Sequence, residues 1–226
     1  MTTAHTAQLH ILYTDHLAGR LDWLPRLYAA LKRVRAALIG PVLLLDLGES
    51  CAPGVAECAA TQGRATLFVL DAMGYDVAYL TPAEAEGLDA AARQRLIERL
   101  TLALCGPPDW GFLPVVTRQA GPHRVHCVSP GTDLDDLPPD ELRIIPAWTE
   151  ETVRLQGCAL VLPGGGGKTF GHATVRFEQA GTGWRPAAAE ARRVPVPDAV
   201  VADATVAAAV AFVRDEIRLV SDSGRA

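Results

Sequence analysis

Short hydrophobic segments alternate with amphipathic ones over the first hundred residues. Apolar side chains alternate in residues 8–13 and form a continuous run in residues 42–47, which predicts two buried β-strands. Between these runs, residues 22–38 carry apolar side chains at helical spacing and are followed by the helix-breaking pair Gly40-Pro41. The pattern therefore predicts a strand, a helix and a second strand in that order.

The same alternation continues toward the middle of the chain. Residues 61–73 predict a helix ended by Gly74, residues 76–80 a third strand and residues 85–104 a further helix. Strands joined by helices are expected to lie parallel, with right-handed crossovers. Because such sheets usually bind ligands beyond the carboxyl ends of their strands, the loops of interest are residues 14–20, 48–50 and 81–86.

The pattern changes after a loop rich in glycine and proline at residues 106–111. Short segments typical of strands follow, separated by Gly, Pro and Asp turns: residues 115–117, 124–128, 142–145, 159–162, 173–178 and 192–196. Residues 203–218 predict a terminal helix, because Val206, Val210 and Val213 recur at helical spacing. The second half is thus expected to be rich in β structure, although the pattern does not place residues 106–156 within the fold.

Composition and charge narrow the class of protein. A chain of 226 residues with 49% hydrophobic side chains suits one globular domain, which we place at residues 1–226. The net charge of -5 provides no general attraction to nucleic acid or anionic lipid. No apolar run is long enough to cross a bilayer of about 30 Å, and no secretory signal pattern is visible at the start. We therefore predict a cytoplasmic protein without a nucleic-acid or membrane partner.

The cysteines are odd in number and lack CxxC spacing: Cys51, Cys58, Cys105, Cys127 and Cys158. This arrangement fits reduced, buried thiols better than a disulfide framework or a zinc ribbon. A spatial pairing of Cys127 with His123 or His126 stays open as a nucleophile and base.

Several strand ends resemble motifs of a known family. Residues 11–21, ILYTDHLAGRL, resemble the ILHTNDLHGRL-type opening motif of bacterial 5'-nucleotidases, which are calcineurin-like metallophosphoesterases. Residues 44–49, LLDLGE, resemble LLDAGD, and residues 73–84 resemble LGYDAxxxGNHE. Residues 167–177 are similar to the closing strand GKYLGRLDLxFD. The resemblance implies an α/β fold, a layered α/β/β/α sandwich of mixed sheets, without the C-terminal substrate domain of the nucleotidases.

The departures from these motifs bear on activity. The family binds two divalent ions with side chains from these loops. His16 stands where the first motif has Asp, Ala18 replaces its His, and Glu49 replaces the bridging Asp of the second motif. Pro82 and Ala83 replace the Asn-His pair of the third motif. The resemblance thus implies a chain that has lost two-metal phosphoesterase activity, has no cofactor, and binds an unknown protein or a small phosphorylated ligand.

An alternative is a metal-dependent phosphoesterase with a rebuilt site. In this hypothesis His16 and Glu49 hold a single Zn or Mn ion, helped by Asp15 or His126. Two certain ligands are fewer than the three that catalytic zinc usually has. The simplest interpretation is instead that Asp15 caps the following helix and His16 is an ordinary loop residue.

The same loops and the second half of the chain carry further polar residues. Thr81 and Glu84 are further candidates for the cleft. Residues 163–169 imitate a phosphate-binding loop, but Leu162 stands where its first glycine belongs and a strand pattern follows, so they predict a turn. His172 is predicted to lie on a strand, and the Arg192-Arg193 pair is interpreted as a solvated strand end.

Overall fold

Two mixed β-sheets pack face to face in the computed structural model, which describes residues 6–52, 54–148, 152–164, 168–181 and 183–223. The first sheet has the strand order β11-β10-β1-β2-β3-β4. Strands β1 to β4 are parallel, whereas β10 and β11 are antiparallel to their neighbours. Its strands are β1 (Thr6–Thr14), β2 (Val42–Asp46), β3 (Val77–Tyr79), β4 (Ala103–Cys105), β10 (Thr169–Ala180) and β11 (Gly183–Pro195).

The second sheet has the order β5-β6-β7-β9-β8. Its middle strands β6, β7 and β9 are parallel, and β5 and β8 run antiparallel at the edges. Its strands are β5 (Val115–Ala120), β6 (His123–Val128), β7 (Leu142–Ala147), β8 (Arg154–Gln156) and β9 (Ala159–Pro163). Residues 106–156, which the sequence pattern does not place, therefore contain four of the five strands of this sheet.

The α-helices pack on the outer face of the first sheet. They are α1 (Leu24–Ala37), α2 (Ala56–Thr61), α3 (Arg64–Ala72), α4 (Pro82–Glu86), α5 (Ala90–Arg99) and α6 (Ala204–Ser223). The start of α6 is capped by Asp203, whose carboxylate accepts the main-chain N–H groups of Thr205 and Val206 at 3.0 and 3.1 Å. None of the helices that the structure describes is both long and apolar enough to cross a membrane.

Successive side chains of the strands in the first sheet point to opposite faces, and each face contributes to its own hydrophobic core. In β1, Leu12 faces the helices and Ile11 faces the second sheet. In β2, Leu44 and Leu45 divide in the same way. The parallel strands are thus buried on both faces, which explains why their sequences are continuously apolar.

The predicted α/β fold with two mixed sheets is confirmed. From β5 to β11 the described residues contain no α-helix, so the layers there are α/β/β and the second helical layer of the α/β/β/α order has no counterpart among them. The predicted helix at residues 61–73 is wrong at its start, because Gln62 and Gly63 have φ values of 51° and 83° and separate α2 from α3.

The predicted helix at residues 85–104 is also wrong as a single element. It divides into the end of α4, the helix α5 and the short strand β4. The side chain of Asp89 caps α5 by accepting the N–H of Ala92 at 2.7 Å. A cap in the middle of the predicted helix forces a new start there.

Candidate functional site

Loops that follow the parallel strands β1, β2 and β3 meet at one edge of the first sheet. The loops after β1 and β2 are joined by main-chain hydrogen bonds: the N–H of His16 donates to Gly48 at 3.1 Å, and that of Ala18 donates to Glu49 at 3.0 Å. His16, Ala18 and Glu49 have left-handed backbones, with φ values of 50°, 52° and 57°. Such values cost a non-glycine residue roughly 1 kcal/mol, so the joined loops hold strained conformations in place.

Four ionisable side chains form a connected group here, which we call the Asp15 cluster: Asp15, His16, Glu49 and Arg193. The Asp15 carboxylate, whose exposed fraction is 0%, lies 2.9 Å from Nδ1 of His16 and accepts a hydrogen bond from Nη1 of Arg193 at 2.8 Å. Nε2 of His16 lies 2.6 Å from Oε2 of Glu49. Because ionised carboxylates only accept hydrogen bonds, a doubly protonated ring satisfies both contacts. In that state the charges of the cluster balance internally.

Arg193 reaches the cluster from β11. Its guanidinium lies 5.3 Å from the centre of the Tyr13 ring, and its Nη2 donates to the carbonyl of Pro163 at 3.1 Å. The Tyr13 ring in turn lies against Gly171 of β10, where an added Cβ would be only 2.0 Å from a ring atom. The glycine leaves room for the ring, and the ring supports the guanidinium beside Asp15.

Thr81 and Glu84 form a capping box at the start of α4. The Thr81 hydroxyl accepts the N–H of Glu84 at 3.2 Å, and the Glu84 carboxylate accepts the N–H of Thr81 at 3.0 Å. The same carboxylate accepts the main-chain N–H groups of Glu49 and Ser50 at 3.0 and 2.7 Å. Both residues therefore hold the loop that carries Glu49, and the Glu84 oxygens are engaged with protein donors.

Asp46, the last residue of β2, is completely buried beneath these loops. Its carboxyl group accepts a hydrogen bond from Thr14 at 2.7 Å, another from the Ser50 hydroxyl, and a third from the N–H of Gly48 at 3.3 Å. Burial is the largest effect and raises the pKa of Asp46 to about 7, against the hydrogen bonds from Ser50 and Thr14, which lower it. The carboxyl group is therefore partly protonated near neutral pH.

Replacing this carboxyl group should change how stability depends on pH. Since the folded pKa of Asp46 lies above the unfolded value of 3.8, the wild-type protein loses stability as pH rises from there to about 7. Asp46→Asn cannot ionise, so we expect its unfolding free energy, taken relative to that of the wild type, to be higher at pH 8 than at pH 4 by about 4 kcal/mol.

Urea unfolding at both pH values measures this effect. Ser50→Ala removes a hydrogen bond that lowers the pKa of the same carboxyl group, so this variant should lose at least as much stability between pH 4 and pH 8 as the wild type does. If the difference between Asp46→Asn and wild type is the same at both pH values, the elevated pKa is wrong.

A cleft of about 570 Å³ opens beside the Asp15 cluster. His16 and Glu49 lie on its wall, together with Ala18 and Ala83, two of the positions at which the sequence departs from the motifs that it resembles. Much of the remaining wall is apolar and includes Leu67, Leu80 and Leu88. The cleft is within the size range of small-molecule sites.

Cys51 and Cys58 line the same cleft and form a disulfide, with their Cα atoms 5.7 Å apart. The prediction that all cysteines are reduced is therefore wrong for this pair, because the loop after β2 folds back and brings Cys51 against α2. The other three cysteines are buried free thiols, as predicted. Disulfides persist mainly in oxidising compartments, so this pair counts against the predicted cytoplasmic location.

The other candidates from the sequence lie apart from the cluster. His126 is buried in the second sheet, where Nδ1 lies 3.0 Å from the Thr117 hydroxyl and Nε2 lies 2.5 Å from Oε2 of Glu141. Burial raises the pKa of Cys127 to about 12, which opposes the thiolate that a nucleophile needs. His172 lies on β10, in agreement with the strand prediction.

Two interpretations of charged residues are wrong. Asp15 does not cap a helix, since the turn before α1 has no side-chain cap and Asp15 binds Arg193 instead. Arg193 is not a solvated strand end, because its side chain is only 27% exposed and contacts a buried carboxylate. The two partners are 178 residues apart, so no local pattern indicates their contact. Residues 165–167 of the predicted glycine turn lie outside the described residues.

The side chains at this edge do not fit a two-metal centre. Arg193 occupies one carboxylate oxygen of Asp15, and His16 and Glu49 contact each other. Pro82 and Ala83 have no side-chain donor atom for a metal. Within the residues that the structure describes, no group of three or more His, Cys, Asp or Glu side chains is arranged to hold a metal ion.

Comparison with known proteins bears on the architecture. No family model and no curated protein sequence matches the chain. The solved structure of the calcineurin-like phosphoesterase YfkN from Bacillus subtilis matches with a TM-score of 0.68 and 12% identity, covering 94% of this chain and 98% of that one. A 5'-nucleotidase precursor from Thermus thermophilus matches with a TM-score of 0.71 and 14% identity, and the chain spans 59% of its length. The chain therefore has the fold of calcineurin-like phosphoesterases.

Proposed function

We propose that this chain uses the calcineurin-like phosphoesterase fold to bind a ligand and has lost two-metal phosphoester hydrolysis. The contacts within the Asp15 cluster carry this proposal: Arg193 binds Asp15, and His16 lies between Asp15 and Glu49. In a two-metal centre the carboxylates face divalent cations, whereas Arg193 and His16 face Asp15 and Glu49 here. A divalent ion beside Asp15 would be repelled by the guanidinium, 2.8 Å away, unless Arg193 moved.

The cleft supports a small ligand as the binding partner. Its volume of about 570 Å³ suits a small molecule rather than a protein surface. Of the two partner classes that the sequence leaves open, a small phosphorylated molecule therefore matches the cleft better than a partner protein.

Filling the cleft should abolish binding without unfolding the chain. Ala59 is exposed on α2 and lines the cleft, so Ala59→Phe places a ring in the ligand's space. Ala60 is exposed on the same helix and is not among the lining residues, which makes Ala60→Phe the matched control. In a thermal-shift screen of sugar phosphates and nucleotides, we expect a ligand that raises the Tm of wild type and Ala60→Phe but not of Ala59→Phe. An equal shift in all three proteins would place binding outside the cleft.

A hydrolysis assay tests the loss of activity. With p-nitrophenyl phosphate or bis-p-nitrophenyl phosphate in Mn²⁺ or Zn²⁺, we expect the rate of the buffer blank. Turnover above the blank that disappears in His16→Ala would overturn the proposal, since it would assign the chemistry to this site.

A single-metal hydrolase is the second candidate, favoured by the contacts of His16 on the cleft wall with Asp15 and Glu49. An ion there would have to take the place of the proton between His16 and Glu49, whose atoms are 2.6 Å apart. This candidate predicts about one Zn or Mn ion per chain, and His16→Ala would remove both the ion and the activity. The binding proposal predicts neither the ion nor the activity in the wild type.

A further inference from the structure

The outer edge of β11 is open for pairing among the described residues, since β11 is the terminal strand of the first sheet. Just beyond the strand, the N–H of Val196 donates to the carbonyl of Lys168 at 3.0 Å. Hydrogen-bonded pairs alternate along antiparallel strands, so the even-numbered residues of 188–194 bond to β10. The main-chain groups of Ala189, Ala191 and Arg193 consequently point toward the open edge.

The regular part of β11 is interrupted at both ends. The register between β10 and β11 shifts at Arg176/Phe177, which leaves Ala187 without an opposite residue and interrupts the strand there. At the other end, Pro195 has no N–H to offer. The stretch between these interruptions is residues 188–194, and its centre is Ala191. The stretch extends equally far on both sides of Ala191. It can therefore pair antiparallel with the same stretch of a second copy, with a twofold axis passing through Ala191.

The charged side chains on β11 also favour pairing centred on Ala191. Glu190 and Arg192 are both exposed, and they share the helix-facing side of the strand with Val194. Pairing about Ala191 places Glu190 opposite the partner's Arg192, and Arg192 opposite the partner's Glu190. Directly opposite charges of unlike sign stabilise a strand pair. Pairing centred on Glu190 instead would set this carboxylate against its own copy, which is unfavourable.

We infer that β11 is a homodimer interface, at which a second copy of this chain adds its own β11 antiparallel about Ala191. The first sheet then continues through both copies, and the open main-chain groups of the edge are paired. This interface is separate from the cleft and does not depend on the proposed ligand binding.

Light scattering coupled to size exclusion tests the inference on the full chain. We expect a mass of twice 24.0 kDa for the wild type. Ala191→Pro removes an N–H that points away from β10, so we expect a monomer with the wild-type circular dichroism spectrum. A wild type that is monomeric at about 100 µM, or a folded Ala191→Pro that is still dimeric, would overturn the interface.

Charge variants give a second test that needs no proline in the strand. Glu190→Arg sets arginines opposite each other, and we expect it to raise the dimer dissociation constant about tenfold. The exchange Glu190→Arg/Arg192→Glu restores unlike pairs and should recover the wild-type constant. Equal dissociation constants for wild type and Glu190→Arg, or an exchange that restores nothing, would overturn the proposed register.

Discussion

Gly171→Ala is expected to lower the free energy of unfolding by about 3–5 kcal/mol. Its Cβ would lie 2.0 to 2.3 Å from atoms of the Tyr13 ring, which is fully buried between the sheets. Neither the strand β10 nor the ring can move without disturbing the support for Arg193. Urea unfolding monitored by tryptophan fluorescence measures the change.

The control for this prediction is another strand glycine with room for a methyl group. At Gly183 of β11 the nearest atom to an added Cβ is 3.9 Å away, so Gly183→Ala should change stability by less than about 1 kcal/mol. In a Tyr13→Ala background the ring is gone, and Gly171→Ala should then cost little. A full cost in that background would show that the ring is not the obstacle.

Arg193→Met is expected to cost about 3 kcal/mol. The substitution removes the guanidinium from Asp15, whose side chain has an exposed fraction of 0%, while much of the apolar stem is retained. Without the guanidinium, the charge of the buried carboxylate is no longer balanced. Either the folded protein becomes less stable or the carboxylate takes up a proton. Unfolding free energies at pH 7 measure the cost.

Measuring Arg193→Met in an Asp15→Asn background separates the effect of the lost charge from the effect of the lost packing. Without a carboxylate to neutralise, Arg193→Met should cost less than half as much as it does in the wild type. If both backgrounds give the same cost, Arg193 contributes packing alone and the balanced charges of the Asp15 cluster are not important for stability.

The scaffold could be predicted where it rests on local patterns. The apolar run at residues 42–47 contains β2, because a parallel strand is buried on both faces. The terminal helix α6 could be predicted because its buried valines recur at helical spacing behind the Asp203 cap. In both cases neighbouring residues carry the whole signal.

Elements with short or ambiguous signals could not be predicted. Strand β4 has three residues, Ala103–Cys105, which continue the apolar pattern of the helix before them. The disulfide between Cys51 and Cys58 has no recognisable motif, since the two residues meet only because their loop folds back. Length and tertiary contact, rather than composition, decide such cases.

The candidate site was predictable in its position and only partly in its chemistry. Departures from the family motifs directed attention to His16 and Glu49, and the structure brings these two side chains into contact. The role of Arg193 could not be anticipated, because it depends on the order of β11, β10 and β1 in the sheet. A contact between distant strands leaves no periodic signal in either of them.

Calorimetric titration of the metal-free chain with Mn²⁺ and Zn²⁺ tests most directly whether protein cations have replaced the metals. Because Arg193 and His16 already face the carboxylates of the Asp15 cluster, we expect no saturable binding at this site and no change in Tm. Saturable binding of about two ions per chain, lost in an Asp15→Ala/Glu49→Ala variant, would contradict this expectation.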